Sequence, residues 1–421
     1  MHPQKLLLSL LLWLPLVIAG IRVLADTDNS TQAPLAGGPP FPPGPFPPTI
    51  FLPVPCLDRT PRYATLEELV QCLDDYTIPE RALFVWTPSG TKYANAQPRD
   101  PGVVGGEEWA WRTAILHLTQ GWTCAISIIP AVIQPFYRVD IFPDATGRSF
   151  CVLSEKKYES PRHHFRKGWG TMVVPFADAE VSRDIHFSAP HPGVGPASDE
   201  GTPRYAAAAF KNTGAKSLLV AGRHRDAYPY NDREHACVEG VEHYSRTDSA
   251  HAIDQPFFIA QQEIKSWQDG KGCDITKCAY IQIHRKFSCP DVDAYLSAGL
   301  GFTPVSVDWY NDNDSPAKSI RDEMTPLFTP KKIRIPSDVP CAGLTATDNV
   351  FGRLLNGRTV AEVCTMHATT DTVTGRFVHI EQTTDMLSAS NYVNFAKAVK
   401  IAIDTSCRPR KRKDSSTLLC V

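Results

Sequence analysis

Three segments carry histidine or carboxylate side chains at the ends of strand-like runs. They are Phe187-Ser188-Ala189-Pro190-His191-Pro192, Tyr280-Ile281-Gln282-Ile283-His284 and Phe377-Val378-His379-Ile380-Glu381. Successive side chains of a strand point to opposite faces. Gln282 and His284 therefore share one face against Ile281 and Ile283, and His379 and Glu381 share one against Val378 and Ile380. In open α/β sheets the carboxyl ends of the strands line the ligand crevice, so a polar group placed there is well aimed. A single strand-end histidine is ordinarily a hydrogen-bonded structural group; three such positions in one chain shift the balance toward a site. Asp199-Glu200-Gly201-Thr202 follows His191 and adds an acid. Its ordinary role is to stabilise the dipole of the helix behind it. Its chemical role is to join His191 on a metal, through Asp199 or through Glu200. Two imidazoles, a carboxylate and a water form a catalytic zinc set, in which the pKa of the water falls to about 7. Glu381 is the candidate base for the proton of that water.

Other polar clusters lie nearby in sequence. Arg223-His224-Arg225 follows a strand-like run at Ser217 to Ala221, and Arg285 follows His284. The planar fork of arginine matches a carboxylate in two-point fashion, so Arg223, Arg225 or Arg285 would hold an acidic substrate; a solvated loop is the equal alternative for the Arg223–Arg225 group. Asp248-Ser249-Ala250-His251 offers a further ligand or a group backing one, although such residues more commonly stabilise their own loop. The pair His163-His164, among Arg162, Arg166 and Lys167, reads as surface. The chain has no Gly-x-Ser-x-Gly elbow. It also lacks a phosphate-cradling glycine loop and a His-Glu-x-x-His helix motif. Elbow-type serine hydrolysis and nucleotide binding are thereby disfavoured.

With His191, then Asp199-Glu200-Gly201-Thr202, then the strand ending in His284 and the late strand ending in Ile380-Glu381, the chain resembles the poly-γ-glutamate hydrolase family, a branch of the zinc-carboxypeptidase-like hydrolases. The likeness covers roughly residues 184 to 404. It implies that His191, Asp199 and His284 bind zinc, with Asp199 preferred to Glu200, and that Glu381 is the general base. It also implies a peptide-like or polyglutamate-like substrate. Two features depart from the family pattern: the loop Pro192 to Ser198 is longer than the family's short turn, and Arg285 stands where a small residue is usual.

The elements that must position these residues are partly legible. Thr65-Leu66-Glu67-Glu68 is a capping box opening a helix through about Asp75. Strands are expected at Thr171–Val174, Asp184–Ala189, Ser217–Ala221, Ala279–His284, Lys332–Ile335 and Phe377–Glu381. Helices are expected after Thr202 as N-cap, after Pro256, after Ser315-Pro316, and over Asn391–Ile403. Short strand-like pieces at Ala82–Trp86, Cys124–Ile129 and Tyr137–Ile141 lie among turns. Strands alternating with helices predict an α/β fold, a mixed, largely parallel sheet with helices on both faces, carboxypeptidase-like.

Bulk properties bound the rest. Residues 1–25 read as a secretory signal peptide: Lys5, then an apolar run from Leu6 to Gly20, with cleavage after Ala25 or Ala19. The run is too short to span a membrane, which takes about 20 apolar residues. Residues 26–55 read as a Pro-rich linker, 56–407 as the globular domain with its core at about 168–404, and 408–421 as a basic tail. The 12 cysteines, an even number behind a signal, imply disulfides. Asn29-Ser30-Thr31 and Asn313-Asp314-Ser315 are glycosylation sequons, the second weakened by Pro316. A net charge of −2 gives no basic face for nucleic acid. The expectation is a secreted zinc-dependent amide hydrolase. Its alternatives are a non-catalytic secreted binding protein on the same scaffold and a metal-dependent esterase or deacylase.

Overall fold

The structure, a computed structural model, describes residues 50–403 except 88, 122–123, 178–179, 232, 239–242 and 276. The expected signal peptide, most of the linker, the basic tail, Cys407 and Cys420 lie outside the described residues. The N-terminal half contains β1 (Ile50–Pro53), α1 (Leu66–Asp74), β2 (Trp86–Thr87), β3 (Gly90–Thr91), α2 (Lys92–Ala96), α3 (Glu107–Thr119), β4 (Tyr137–Pro143), β5 (Ser149–Glu155), β6 (Lys157–Ser160), β7 (His164–Phe165) and β8 (Thr171–Pro175). Next come β9 (Asp184–Ala189), α4 (Thr202–Thr213), β10 (Ser217–Val220), α5 (Pro256–Lys271), β11 (Cys278–Arg285) and β12 (Ala294–Ser297). The chain closes with α6 (Pro304–Asp312), α7 (Pro316–Leu327), β13 (Ile333–Arg334), α8 (Val350–Leu355), β14 (Phe377–Gln382) and α9 (Tyr392–Ala402).

The main sheet has nine strands among the described residues, in the order β13-β12-β14-β11-β9-β10-β8-β5-β4. Its centre, β14-β11-β9-β10, is parallel throughout. Antiparallel pairs flank it: β12 on β14 at one side, and β8, β5 and β4 in succession at the other. The sheet is mixed, as expected, but parallel order is confined to the centre and to the β12–β13 pair. The antiparallel flank comes from β4, β5 and β8; β4 and β5 are consecutive and pair directly, with no crossover helix.

Ile281, Ile283, Val378 and Ile380 project to one side, into a core with Leu66 and Leu69 of α1, Phe210 of α4, Ile320 of α7 and Phe395 of α9. Tyr280 and Phe377 project to the other, against Trp111 of α3, Phe258 of α5 and Phe351 of α8. Each such side chain fully buried contributes about 1.5–3 kcal/mol. Both faces of the sheet are thus covered by helices.

Local chemistry sets the helix starts. Thr65 caps α1 with the full reciprocal box: Glu68 N–H donates to Thr65 Oγ1, and Thr65 N–H donates to Glu68 Oε2 at 3.1 Å. Proline opens α5, α6 and α7. The N-cap of α4 is Gly201, not Thr202; its φ of 88° suits glycine, and Thr202 becomes the first helical residue. Its hydroxyl donates back to Asp199 O at 2.7 Å.

Several sequence expectations change. Ile50–Pro53, assigned to the linker, is an edge strand on β6, a place where proline is tolerated. The region 76–160 holds the 13-residue helix α3 and the buried strand β5, neither foreseen, and Cys124–Ile129 is a short 3-10 turn at Ile126–Ile128 rather than a strand. His164 is buried rather than on the surface. Five disulfides join the ten described cysteines: Cys56–Cys72, Cys124–Cys151, Cys237–Cys364, Cys273–Cys278 and Cys289–Cys341. No helix among the described residues is long and apolar enough to cross a membrane.

Candidate metal centre

All four central parallel strands point their carboxyl ends at one place. His191 lies two residues beyond β9, Arg225 follows β10, His284 is near the end of β11 and Glu381 near the end of β14. In the β11–β14 ladder His284 is opposite Glu381 and Gln282 is opposite His379, so these four side chains leave the same face. The rings of His284 and His379 lie 4.3 Å apart, and those of His191 and His284 4.9 Å.

His191, Asp199 and His284 come together, as expected. Nδ1 of His191 and Nδ1 of His284 stand 3.0 and 2.9 Å from the same oxygen, Asp199 Oδ2. All three residues are buried. Each imidazole is backed on its far nitrogen: His191 Nε2 meets Asp248 Oδ1 at 2.9 Å, and His284 Nε2 meets Gln282 Oε1 at 2.9 Å. Asn349 Nδ2 also donates to Gln282 Oε1, at 2.6 Å. Asn349 thereby fixes that atom as the amide oxygen, so His284 Nε2 must be the N–H donor. An N–H on Nε2 leaves a lone pair on Nδ1 of the neutral ring. The two Nδ1 lone pairs and Asp199 Oδ2 then form a convergent set of three acceptors, an arrangement that calls for a cation. A metal-binding histidine characteristically has its other ring nitrogen bonded to a carboxylate or carbonyl oxygen, and both rings meet that description.

Electrostatics agree with this tautomer for His284, whose pKa burial pushes down to about 4. Burial and Arg225 also pull His191 down, but Asp248 and Asp199 outweigh them and leave it raised. Burial works against ionising Asp199, yet Arg225 and His191 hold it well below the usual carboxylate range. Burial, reinforced by the charge of Asp199, pushes Glu381 up to about 8. Among the described residues, Glu381 Oε2 is buried without a hydrogen-bond partner, as is His379 Nδ1.

The donor set of two nitrogens and one carboxylate oxygen fits zinc. Among the described residues, two further overlapping groups could hold an ion: His191 with Asp248 and His251, and His284 with His379 and Glu381. Asp248 also accepts Ala250 N–H at 3.0 Å, so it both braces its own loop and backs His191. Arg225 competes with a metal. Its Nη2 contacts His191 Nδ1 and lies 3.2 Å from Asp199 Oδ1.

The remaining expected residues divide. Glu200 is exposed and outside the cluster, its Oε2 3.9 Å from Arg285 Nη1, so the carboxylate placed between the two imidazoles is that of Asp199. Arg285 donates to Ser198 O at 2.9 Å and stacks over Phe287; it braces the loop between His191 and Asp199. Arg223 is turned into the protein. It is buried, and its guanidinium donates to Lys167 O, Ala96 O, Gln97 Oε1 and Gln255 Oε1. Those bonds occupy its fork in tying the sheet to the α2 region. The backing residues Gln282 and Asn349 were not singled out in the sequence. Gln282 had a signal, since it shares the face of His284; Asn349 had none.

No family model matches the chain, and no curated protein does. Among solved structures, the chain is similar to a gene product of Agrobacterium tumefaciens at 14% identity and a TM-score of 0.31, over 54% of this chain and 90% of that one. It is also similar to a metallo-carboxypeptidase from Burkholderia cenocepacia at 7% identity and a TM-score of 0.31, over 64% of this chain and 78% of that one. Likeness at this level establishes neither a family nor an activity.

Proposed function

We propose that this chain is a secreted, zinc-dependent hydrolase of amide bonds in peptide-like substrates, γ-glutamyl polymers among them. The observation that carries the reading is the convergence of His191 Nδ1, His284 Nδ1 and Asp199 Oδ2, with both imidazoles backed on Nε2. These three residues would hold the ion, which when bound supplies a Lewis acid and a water of lowered pKa. Asp248 and Gln282 keep the two rings in the binding tautomer. Glu381, beside His284 on the same face, takes a proton from the attacking water and returns it to the leaving amine. Arg225, with a quarter of its side chain exposed, holds a carboxylate of the substrate, and Arg285 keeps the Pro192–Ser198 loop in place. Export is supported by the signal-like residues 1–25 and by the five disulfides.

One observation favours a second reading, a non-catalytic secreted binding protein: the Arg225 guanidinium already lies against His191 and Asp199, where it supplies the positive charge that the three acceptors need. Purified protein incubated with poly-γ-glutamate, with C-terminal dipeptides and with matching esters separates the readings. Amide cleavage abolished by a chelator and restored by zinc supports the hydrolase. Cleavage of esters alone replaces it with an esterase or deacylase, and no cleavage at all favours the binding protein.

A further inference from the structure

His224 is buried, 1% exposed, and its ring is fixed by the backbone around it. Its own N–H donates to Ile78 O at 2.8 Å. Its Nδ1 accepts the Asp226 N–H at 3.0 Å. A ring that accepts at Nδ1 carries its proton on Nε2, and burial keeps that ring neutral by lowering its pKa. Nε2 nevertheless has no hydrogen-bond partner among the described residues. A ligand oxygen would satisfy this buried donor.

The direction of that donor is informative. A Cβ placed on Gly195 would stand 3.8 Å from His224 Nε2, and one on Gly193 would stand 3.9 Å from His224 Cδ2. The imidazole edge therefore faces the loop that starts at His191 and ends at Asp199. That loop is anchored at both ends: Gly193 N–H donates to Asp74 Oδ1 at 2.8 Å, and Ser198 Oγ donates to Gly195 O at 2.8 Å. Its tip stands at the surface, with Val194 67% exposed. Gly193 and Gly195 have φ of 89° and 127°, so they form the bend and put no side chain over the imidazole. The next residue, Arg225, is the cation at the centre. A neutral N–H donor beside a guanidinium suits an anionic oxygen.

We propose that Nε2–H of His224 donates a hydrogen bond to a carboxylate oxygen of the substrate, making His224 a specificity-determining residue beside the metal centre. The assignment rests on the hydrolase reading for its substrate. In it Arg225 supplies charge and His224 supplies direction, so the pair distinguishes a carboxylate from its amide.

Glutarate and glutaramide are suitable probes, titrated into the full-length metal-loaded protein by calorimetry. Wild type binds glutarate more tightly than glutaramide. His224→Leu weakens glutarate about tenfold or more with glutaramide unchanged, and His224→Gln, which retains an N–H donor, recovers most of the loss. In wild type labelled with ¹⁵N-histidine, glutarate shifts the Nε2–H resonance of His224; this readout needs no variant and remains decisive if His224→Leu fails to fold. An unmoved resonance, or a folded His224→Leu protein that binds glutarate as wild type does, overturns the assignment. Metal content and amide hydrolysis are measured in parallel. Both resonance shift and discrimination without hydrolysis would overturn the parent reading alone; hydrolysis without either would overturn only the role of His224.

Discussion

His284 lies directly opposite Glu381 in the parallel ladder of β11 and β14, so a candidate metal ligand and a candidate base leave the sheet side by side on one face. The register explains why two residues nearly a hundred positions apart in the chain serve one centre. It also makes the roles separable by mutation.

Glu381→Gln keeps the shape and removes the basic oxygen. The expected outcome is a fall in kcat of about 100-fold to 10 000-fold with metal content unchanged, measured by hydrolysis rate and elemental analysis on the same sample. A variant that keeps full activity removes Glu381 as the base.

Gln282 acts only through His284, since its Oε1 accepts from both His284 Nε2 and Asn349 Nδ2. Gln282→Leu leaves His284 free to turn or to change tautomer. Metal affinity is expected to fall about 10- to 100-fold, read by competition with a chromogenic chelator, and stability to fall by about 1–3 kcal/mol because Asn349 Nδ2 and His284 Nε2 lose their buried acceptor.

Metal binding is expected to release protons. Glu381 is pushed up to about 8 in the metal-free protein, so it holds a proton at neutral pH. A nearby dication favours its ionised form, as Arg225 already does. His191, raised from its ordinary value, contributes in the same direction, whereas His284, held to about 4, is already neutral. Affinity therefore rises with pH up to about 8 and then levels. Calorimetry in two buffers of different ionisation enthalpy measures the release; affinity that falls across this range contradicts it.

Arg225 competes with the ion for His191 and Asp199 while holding the substrate carboxylate. Arg225→Gln is expected to bind metal more tightly and to raise KM for acidic substrates about tenfold or more, as a charge-assisted hydrogen bond is lost. Metal titration and steady-state kinetics on acidic and neutral substrates check both halves.

Arg223, two residues earlier in the chain, behaves differently. Arg223→Met leaves Lys167 O and Gln255 Oε1, both buried, without the guanidinium donor, while Ala96 O keeps the Trp169 Nε1–H, and is expected to lower stability by about 1–3 kcal/mol. Denaturant unfolding checks this. A soluble, fully stable variant with raised KM would restore the substrate clamp.

The contrast between the two arginines shows what was legible in the chain. Position after β10 marked both as binding candidates, but nothing in Arg223-His224-Arg225 tells which guanidinium turns into the protein. That is decided by Lys167 O and Ala96 O, more than 50 residues away in sequence. His191, His284 and Glu381 were legible as candidates because strand ends and period-two alternation are local, whereas the residues alone left Asp199 and Glu200 open and only the resemblance preferred Asp199. α4, α5 and α7 were legible because their prolines mark their starts. Helix α3 was missed although Ala110, Trp111, Ala114, Ile115 and Leu118 repeat at helical spacing; its cap is Gly106, with no side-chain signal. Strand β5 is buried on both faces from Phe150 to Glu155, so it shows none of the alternation that marks a half-exposed strand.

The central claim is that a metal ion belongs to the convergence of His191, Asp199 and His284. Elemental analysis of the purified full-length protein tests it most directly. The account predicts about one zinc per chain, absent from a folded His191→Ala/His284→Ala variant. Wild type without stoichiometric metal, or a double variant that retains it, would contradict the account.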